Sequence, residues 1–253
     1  MNTALNNALV IIPTYNEKEN ISDIIDAVLK LEQPFDVLVV DDNSPDGTAA
    51  IVKQKIESNS DRIHLLERQG KHGLGTAYIA GFKWGLEKGY EYLFEMDADF
   101  SHNPKDLIKL YKACATDGND LAIGSRYVTG VNVVNWPMSR VLMSFFASKY
   151  VQFITRIPIK DTTAGFKCFK RQVLETIDLD NIKFVGYAFQ IEMKFKTWKH
   201  GFRLIEVPII FTDRTRGTSK MSSGIFKEAV LGVIQLKVNS WFKKYSYQDR
   251  KPH

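Results

Sequence analysis

Four short apolar runs, each followed by a turn and a helix-length segment, leave this chain few folds to choose from. Leu9-Val10-Ile11-Ile12, Val37-Leu38-Val39-Val40, residues 63–66 and Tyr92-Leu93-Phe94-Glu95-Met96 are long enough for buried strands and too short for helices. Between them the spacing predicts helices over 17–31, 48–58 and 73–87. Such alternation builds a parallel, doubly wound α/β sheet, because each crossover helix covers the strands it connects. Ligands of these sheets bind beyond the carboxyl ends of the strands, near the point where strand order reverses. The polar motifs Pro13-Thr14-Tyr15-Asn16-Glu17, Asp41-Asp42 and Asp97-Ala98-Asp99 all stand at those ends.

Asp97-Ala98-Asp99 carries the most chemistry. Two carboxylates one residue apart can hold a divalent cation, and a cation there can hold a diphosphate. The tripeptide alone is weak evidence, since roughly one such pair arises by chance in a chain this long. Asp178-Leu179-Asp180 has the same spacing but follows the helix-like segment 171–177 instead of a strand. The second half is less regular, with helices predicted over 105–116, 137–154, 184–200 and 225–242 and strands over 121–124 and 203–211.

The 253 residues carry a mild net charge of +5 that is unevenly spread. Acids gather early, at Asp41, Asp42, Asp46, Asp97 and Asp99, while basic residues crowd the stretch after Asp213. This asymmetry points to an anionic substrate or a membrane surface near the C-terminal end. Nucleic acid is disfavoured, because no basic stripe carries interleaved aromatics. Cys114 and Cys168 match no metal-ligand spacing, and a reduced, cytoplasmic compartment is the simplest expectation. Residues 1–8 are polar and no signal peptide is expected. No run approaches the roughly eighteen uncharged apolar residues of a spanning helix.

Pro13–Glu17 reads in two ways: as a turn that caps a helix, or as a nucleotide wall with Tyr15 stacking on a base and Glu17 accepting from its edge. Asp41 and Asp42 are either solvated turn residues or a pair of which one meets a ribose hydroxyl or base amine. The Gly73-Leu74-Gly75 loop lacks the third glycine of a dinucleotide fingerprint, since Tyr78 stands there. Its glycines are expected to let a helix pack closely on the sheet.

The ordered motifs carry a family resemblance. Pro-Thr-Tyr-Asn-Glu, Val-Asp-Asp-x-Ser-x-Asp-Gly-Thr, Gly-Leu-Gly-Thr-Ala-Tyr and Met-Asp-Ala-Asp-x-Ser-His-x-Pro are joined by Gly124-Ser125-Arg126-Tyr127, residues 186–193, Glu206-Val207-Pro208-Ile209 and Asp213-Arg214 with Gly217-Thr218-Ser219-Lys220. Together they resemble glycosyltransferase family 2, and within it the dolichyl- or polyprenyl-phosphate mannosyltransferases. The resemblance implies a Rossmann-like GT-A fold in a single domain spanning 1–253. About 9–125 would form the nucleotide-sugar half, 126–222 the acceptor side and 223–242 an amphipathic C-terminal helix.

By resemblance, Pro13, Tyr15 and Glu17 would bind the base and ribose, with Val40 and Asp42 opposite. Asp97 and Ala98 would touch ribose and diphosphate. Asp99 would ligate Mg2+ or Mn2+ with Ser101, and Arg126, Arg214 and Lys220 would contact phosphates and sugar. Asp97, Asp99, Arg214 and Lys220 form the implied catalytic set. The family pattern departs at Phe145, where a basic residue is usual, and at Ala164, where serine is common.

The implied reaction is inverting transfer of mannose from GDP-mannose to a polyprenyl phosphate at the cytoplasmic face of a membrane, with a membrane-embedded partner subunit a possibility. Alternatives are another nucleotide-sugar such as UDP-glucose or UDP-GlcNAc, or a catalytically silent binding module. A nucleotidyltransferase would want a glycine-rich loop with a basic residue after the first strand, which Pro13–Glu17 does not supply. The residues offer Glu192 as the candidate general base and His102 as a packing residue. A phosphate acceptor needs no base, because its second pKa of about 6 leaves it ionised at neutral pH. The lipid would follow the apolar sides of helices 137–154 (Leu142, Met143, Phe145, Phe146, Tyr150, Val151, Phe153) and 225–242 (Ile225, Phe226, Ala229, Val230, Val233, Ile234, Leu236, Trp241), or those sides would pack on the core.

Overall fold

In the first strand, β1 (Ala8–Thr14), successive side chains enter opposite cores: Leu9 and Ile11 on one face, Ala8, Val10 and Ile12 on the other. This is why the run reads as unbroken apolar sequence. The computed structural model describes residues 6–58, 61–214, 224–242 and 245, leaving aside the side chains of Tyr187 and 224–229. β2 (Asp36–Asp41), β3 (Ile63–Glu67) and β4 (Tyr92–Glu95) follow, with α1 (Ile21–Leu29), α2 (Thr48–Ser58) and α3 (Leu74–Glu87) between them. Next come α4 (Asp106–Ala115), β5 (Leu121–Ser125), β6 (Val133–Val134), α5 (Met138–Thr155), β7 (Lys167–Lys170) and α6 (Arg171–Thr176). α7 (Tyr187–Lys199), β8 (Leu204–Pro208), β9 (Phe211–Thr212) and α8 (Gly224–Phe242) complete the order.

The main sheet has seven strands in the order β3-β2-β1-β4-β7-β5-β8, and β6 pairs with β9 in a small second sheet. All neighbours in the main sheet are parallel except β7, which runs antiparallel to both β4 and β5. Strand order reverses at β1, between β2 on one side and β4 on the other. The motifs after β1, β2 and β4 therefore converge on one crevice. One core lies between the sheet and α3 and α7, around Tyr78, Phe82 and Phe189, and the other lies under α1 and α4.

Several boundaries differ from the sequence reading. The helix expected from residue 17 begins at Ile21, because Asn16 takes a left-handed φ of 58° and the preceding amides are committed elsewhere. Asn16, Glu17 and Lys18 donate their N–H groups to Ser44 Oγ, Thr48 Oγ1 and Asp46 Oδ2. The strand expected over 203–211 is split into β8 and β9 after Pro208, which lacks an N–H for the ladder. No apolar run marks β7, whose lysines Lys167 and Lys170 interrupt the pattern.

The helices thought to run apolar along one side are divided. Val151 is buried, whereas Leu142, Met143, Phe146 and Phe153 of α5 are 47–66% exposed. On α8 Val233 and Leu236 are buried, while Leu231 and Trp241 are exposed. The two helices touch, and Tyr150 Oη donates to the Val230 carbonyl at 2.9 Å. The side chains of Ile225, Phe226 and Ala229 lie outside the described residues.

Candidate active site

The paired acids after β2 divide their work. Asp41 is 1% exposed and knits the loops together, accepting from Thr14 Oγ1 at 2.8 Å, Ser44 Oγ at 2.6 Å and the Ser44 amide at 2.9 Å. Asp42 turns to the loop after β3, where Arg68 forks both its oxygens at 2.7 and 2.9 Å. The Asp42 amide donates to Thr14 O, so this acid stands beside Tyr15. Pro13 and Val40 are register partners in the sheet. Val40 and Ala98 are buried in the two cores, so each offers a ligand main-chain atoms only. Glu17 lies in the turn before α1 and its carboxylate accepts from Asn20 Nδ2 at 3.1 Å.

The Asp97–Asp99 loop leaves β4 next to this crevice. Asp99 is 7% exposed; its Oδ1 accepts the Ser101 amide at 3.0 Å and its Oδ2 meets Arg214 Nη2 at 3.1 Å. Asp97 accepts from Tyr78 Oη at 3.3 Å. Burial, reinforced by the neighbouring Asp99 charge, pushes the Asp97 carboxyl up to about 7. Asp99 and Ser101 are buried and Asp97 is half-buried, and their oxygens are of the hard type that suits Mg2+ or Mn2+. Among the described residues no three His, Cys, Asp or Glu side chains form a complete cage, so an ion held here would need further oxygens from elsewhere. A cavity of about 720 Å³ reaches Asp99 past Phe100, Asn103, Thr212 and Asp213.

Cations line the opposite side. Arg126 is 8% exposed and is locked by Asp161, which accepts from its Nε at 2.7 Å, its Nη2 at 2.6 Å and its amide at 2.9 Å. The Arg126 cation in turn keeps the Asp161 carboxyl below the usual range, against the upward push of burial. Tyr127, Trp136 and Phe211 bracket the guanidinium. Arg140, on α5, lies over the Trp136 ring at 4.1 Å and pairs with Asp213 at 2.9 Å. β9 ties these parts together, since the Thr212 amide donates to Ser101 O and the Asp213 amide to Val134 O. Lys220 lies outside the described residues.

Residues 9–178 match the sequence model of glycosyl transferase family 2. The chain belongs to that family. It is 48% identical over 227 residues to the polyprenol monophosphomannose synthase of Mycolicibacterium smegmatis, covering 90% of this chain and 85% of the relative. It is 47% identical to the undecaprenyl-phosphate mannosyltransferase of Micrococcus luteus, covering 90% and 92%. Among solved structures, a glucosyl-3-phosphoglycerate synthase of Mycobacterium tuberculosis with Mn2+ and UDP aligns with a TM-score of 0.65 at 15% identity, covering 96% of this chain and 81% of the other. A mannosyltransferase of Pyrobaculum calidifontis with GDP-mannose and Mn2+ aligns with a TM-score of 0.57 at 20% identity, covering 94% and 74%. The expected GT-A fold is thereby borne out, and the chain is a glycosyltransferase.

Within this family 2 enzyme, Glu192 is not placed as a base. It is buried, pairs with Lys196 at 2.9 Å and accepts the Lys183 and Phe184 amides, which fixes the loop before α7. His102 packs as expected: its ring stacks on Phe166 at 4.8 Å, and burial drives its pKa down to about 4. The decoy acids resolve as structural, Asp178 capping a short 3-10 turn at Leu179–Asn181 and Asp180 pairing with Lys83 on the surface. Gly75 packs α3 against Phe189 of α7 rather than against the sheet, where Gly81 and Gly85 sit instead.

The sequence reading missed Arg68, Tyr78, Arg140 and Asp161, whose partners lie 19 to 73 residues away. It also missed a buried layer under the acid pair, in which Glu95 meets Lys167 across β4 and β7 at 3.1 Å and accepts from Gln190 at 2.7 Å. Lys167 reaches Gln190 as well, and Lys194 donates to Ala164 O. Burial lowers both lysines' pKa and raises that of Glu95.

Proposed function

We propose that this enzyme transfers mannose from GDP-mannose to the phosphate of a polyprenyl phosphate, with inversion, at a membrane surface. One relationship carries the reading: an ion-paired path joins the apolar helix α5 to the acid pair. Arg140 on α5 holds Asp213, and the next residue, Arg214, holds Asp99. A lipid phosphate approaching along the exposed α5 face would bring its headgroup to these cations and to the diphosphate end of the crevice. The names of the two relatives near half identity, a polyprenol monophosphomannose synthase and an undecaprenyl-phosphate mannosyltransferase, support the sugar and the lipid phosphate.

Tyr15, Glu17 and Asp42 would take the nucleoside, with Pro13, Val40 and Ala98 contributing main chain. Asp97, Asp99 and Ser101 would hold Mg2+ or Mn2+, which when bound neutralises charge building on the departing diphosphate. Arg126, Arg214 and Lys220 would add charge-assisted hydrogen bonds to phosphate oxygens. With Glu192 committed to Lys196 and two amides, the acceptor phosphate attacks as its own anion, and a single in-line displacement inverts the anomeric centre. No described helix is long and apolar enough to cross a membrane, so attachment would be peripheral, through α5 and α8.

The test is transfer of radiolabelled sugar from GDP-mannose, UDP-glucose and UDP-GlcNAc into butanol-extractable lipid phosphate, with and without a chelator. GDP-mannose alone should label the lipid, chelator should stop it, and NMR of the product should show the β anomer. Labelling from a uridine donor only, or transfer that survives chelation, sinks the reading.

A further inference from the structure

Two cations on the loop after β3 face the base end of the crevice. Arg68 forks Asp42 and also donates from Nη1 to Thr76 Oγ1 at 3.0 Å. Thr76 Oγ1 donates to Gly73 O at 2.8 Å, and the Arg68 amide donates to Asp41 O at 2.8 Å. Loop 68–73 is thus tied down at both ends. In its middle, Lys71 is exposed and its ammonium lies 4.8 Å from the centroid of the Tyr15 ring. An exposed ammonium over a half-buried ring is held weakly and yields readily to a better partner. A base that stacks on this face pushes the ammonium outward, yet the flexible four-carbon stem keeps it within reach of the base edge.

We propose that Lys71 is a base-reading residue, its ammonium donating to the O6 and N7 acceptors of a guanine stacked on Tyr15. Arg68 acts as the positioning residue that fixes the loop and aims Asp42. This role rests on the nucleoside-diphosphate-sugar reading above. Adenine carries an amine where guanine carries O6, so it offers the ammonium N7 alone.

Calorimetry on the full chain with Mn2+, using GDP and ADP as probes, tests it. Lys71→Met keeps the apolar stem and removes the donor, and should weaken GDP about tenfold but ADP less than about twofold, the size of one lost edge contact. Lys71→Arg, which keeps donors, should recover part of the GDP affinity. Equal weakening of GDP and ADP marks general attraction to the diphosphate and overturns the proposal, as does GDP affinity unchanged in Lys71→Met. Those results leave the donor site standing. A wild type that binds no nucleoside diphosphate overturns the donor reading and this role together.

Discussion

Arg214 Nη2 stands 3.1 Å from Asp99 Oδ2, so a guanidinium already occupies one oxygen of the acid pair. A divalent cation has to share that oxygen or move the arginine aside. Arg214→Ala should therefore tighten Mn2+ binding to nucleotide-free protein about fivefold, the low end of site-to-site coupling. The same change should weaken Mn2+-assisted binding of GDP, because a charge-assisted contact to the diphosphate is lost. Titrations with the ion alone and with ion plus GDP separate the two signs; weakening in both makes Arg214 a mere support.

Asp99→Asn keeps the shape of the side chain and an oxygen for the Ser101 amide, but removes its charge. Turnover should fall by about three orders of magnitude if a metal-held diphosphate is the leaving group. The melting temperature should stay within a few degrees, since one buried like-charge repulsion is relieved as the Arg214 pair is lost. A variant with near-normal turnover removes Asp99 from the chemistry.

His64 offers a stability signal remote from the site. Its ring lies 4.8 Å from Trp84, its Nε2 is 3.4 Å from Tyr90 Oη, and burial lowers its pKa despite the nearby Asp36, with Lys88 adding to the depression. Between the ordinary value near 6.5 and the depressed folded value, the unfolded chain binds more protons than the folded one. Stability from this group is whole above pH 6.5 and is lost as pH falls. The melting temperature of His64→Gln, compared with wild type, should drop less between pH 7.5 and 5.5. Parallel pH profiles exclude His64 as the source.

α3 meets the sheet through glycine. A Cβ at Gly81 would stand 2.5 Å from Ile11 Cγ2, deep in the sheet core. Gly81→Ala gains up to about 1 kcal/mol of helix propensity but must shift Ile11 or the whole helix. Overpacking of this kind costs about 1–3 kcal/mol. The urea midpoint should fall; a variant as stable as wild type means the helix moves off the sheet freely.

β1, β2 and β4 and their carboxyl-end motifs were legible because strands buried on both faces read as nearly continuous apolar runs. β7 was hidden for the same reason inverted. Lys167 and Lys170 give it the look of a surface segment, yet Lys167 is fully buried because Glu95 faces it in register across β4. Neither residue predicts the other, since 72 positions separate them and only the antiparallel return of the chain brings them together. The acid pair could be chosen over its decoy from strand context alone. Which of Asp41 and Asp42 faces the crevice could not, because that turns on Arg68 from another loop.

The exposed face of α5 separates a lipid-phosphate enzyme from one with a soluble acceptor. Leu142, Met143, Phe146 and Phe153 are each about half exposed or more, and Leu231 and Trp241 of α8 are exposed as well. Exposed apolar patches mark protein, ligand or membrane contacts, and the proposed lipid-phosphate acceptor assigns this one to a membrane. Phe146→Glu with Phe153→Glu places two charges in that face while leaving the acid pair, Arg140 and the base crevice intact. Co-sedimentation with anionic phospholipid vesicles should fall at least about tenfold, since each aromatic carries a large share of such burial. Transfer to a long-chain polyprenyl phosphate should fall with it, while GDP affinity and the melting temperature hold. If vesicle binding survives the double change, α5 is not the face that meets the lipid, and the acceptor must approach from elsewhere.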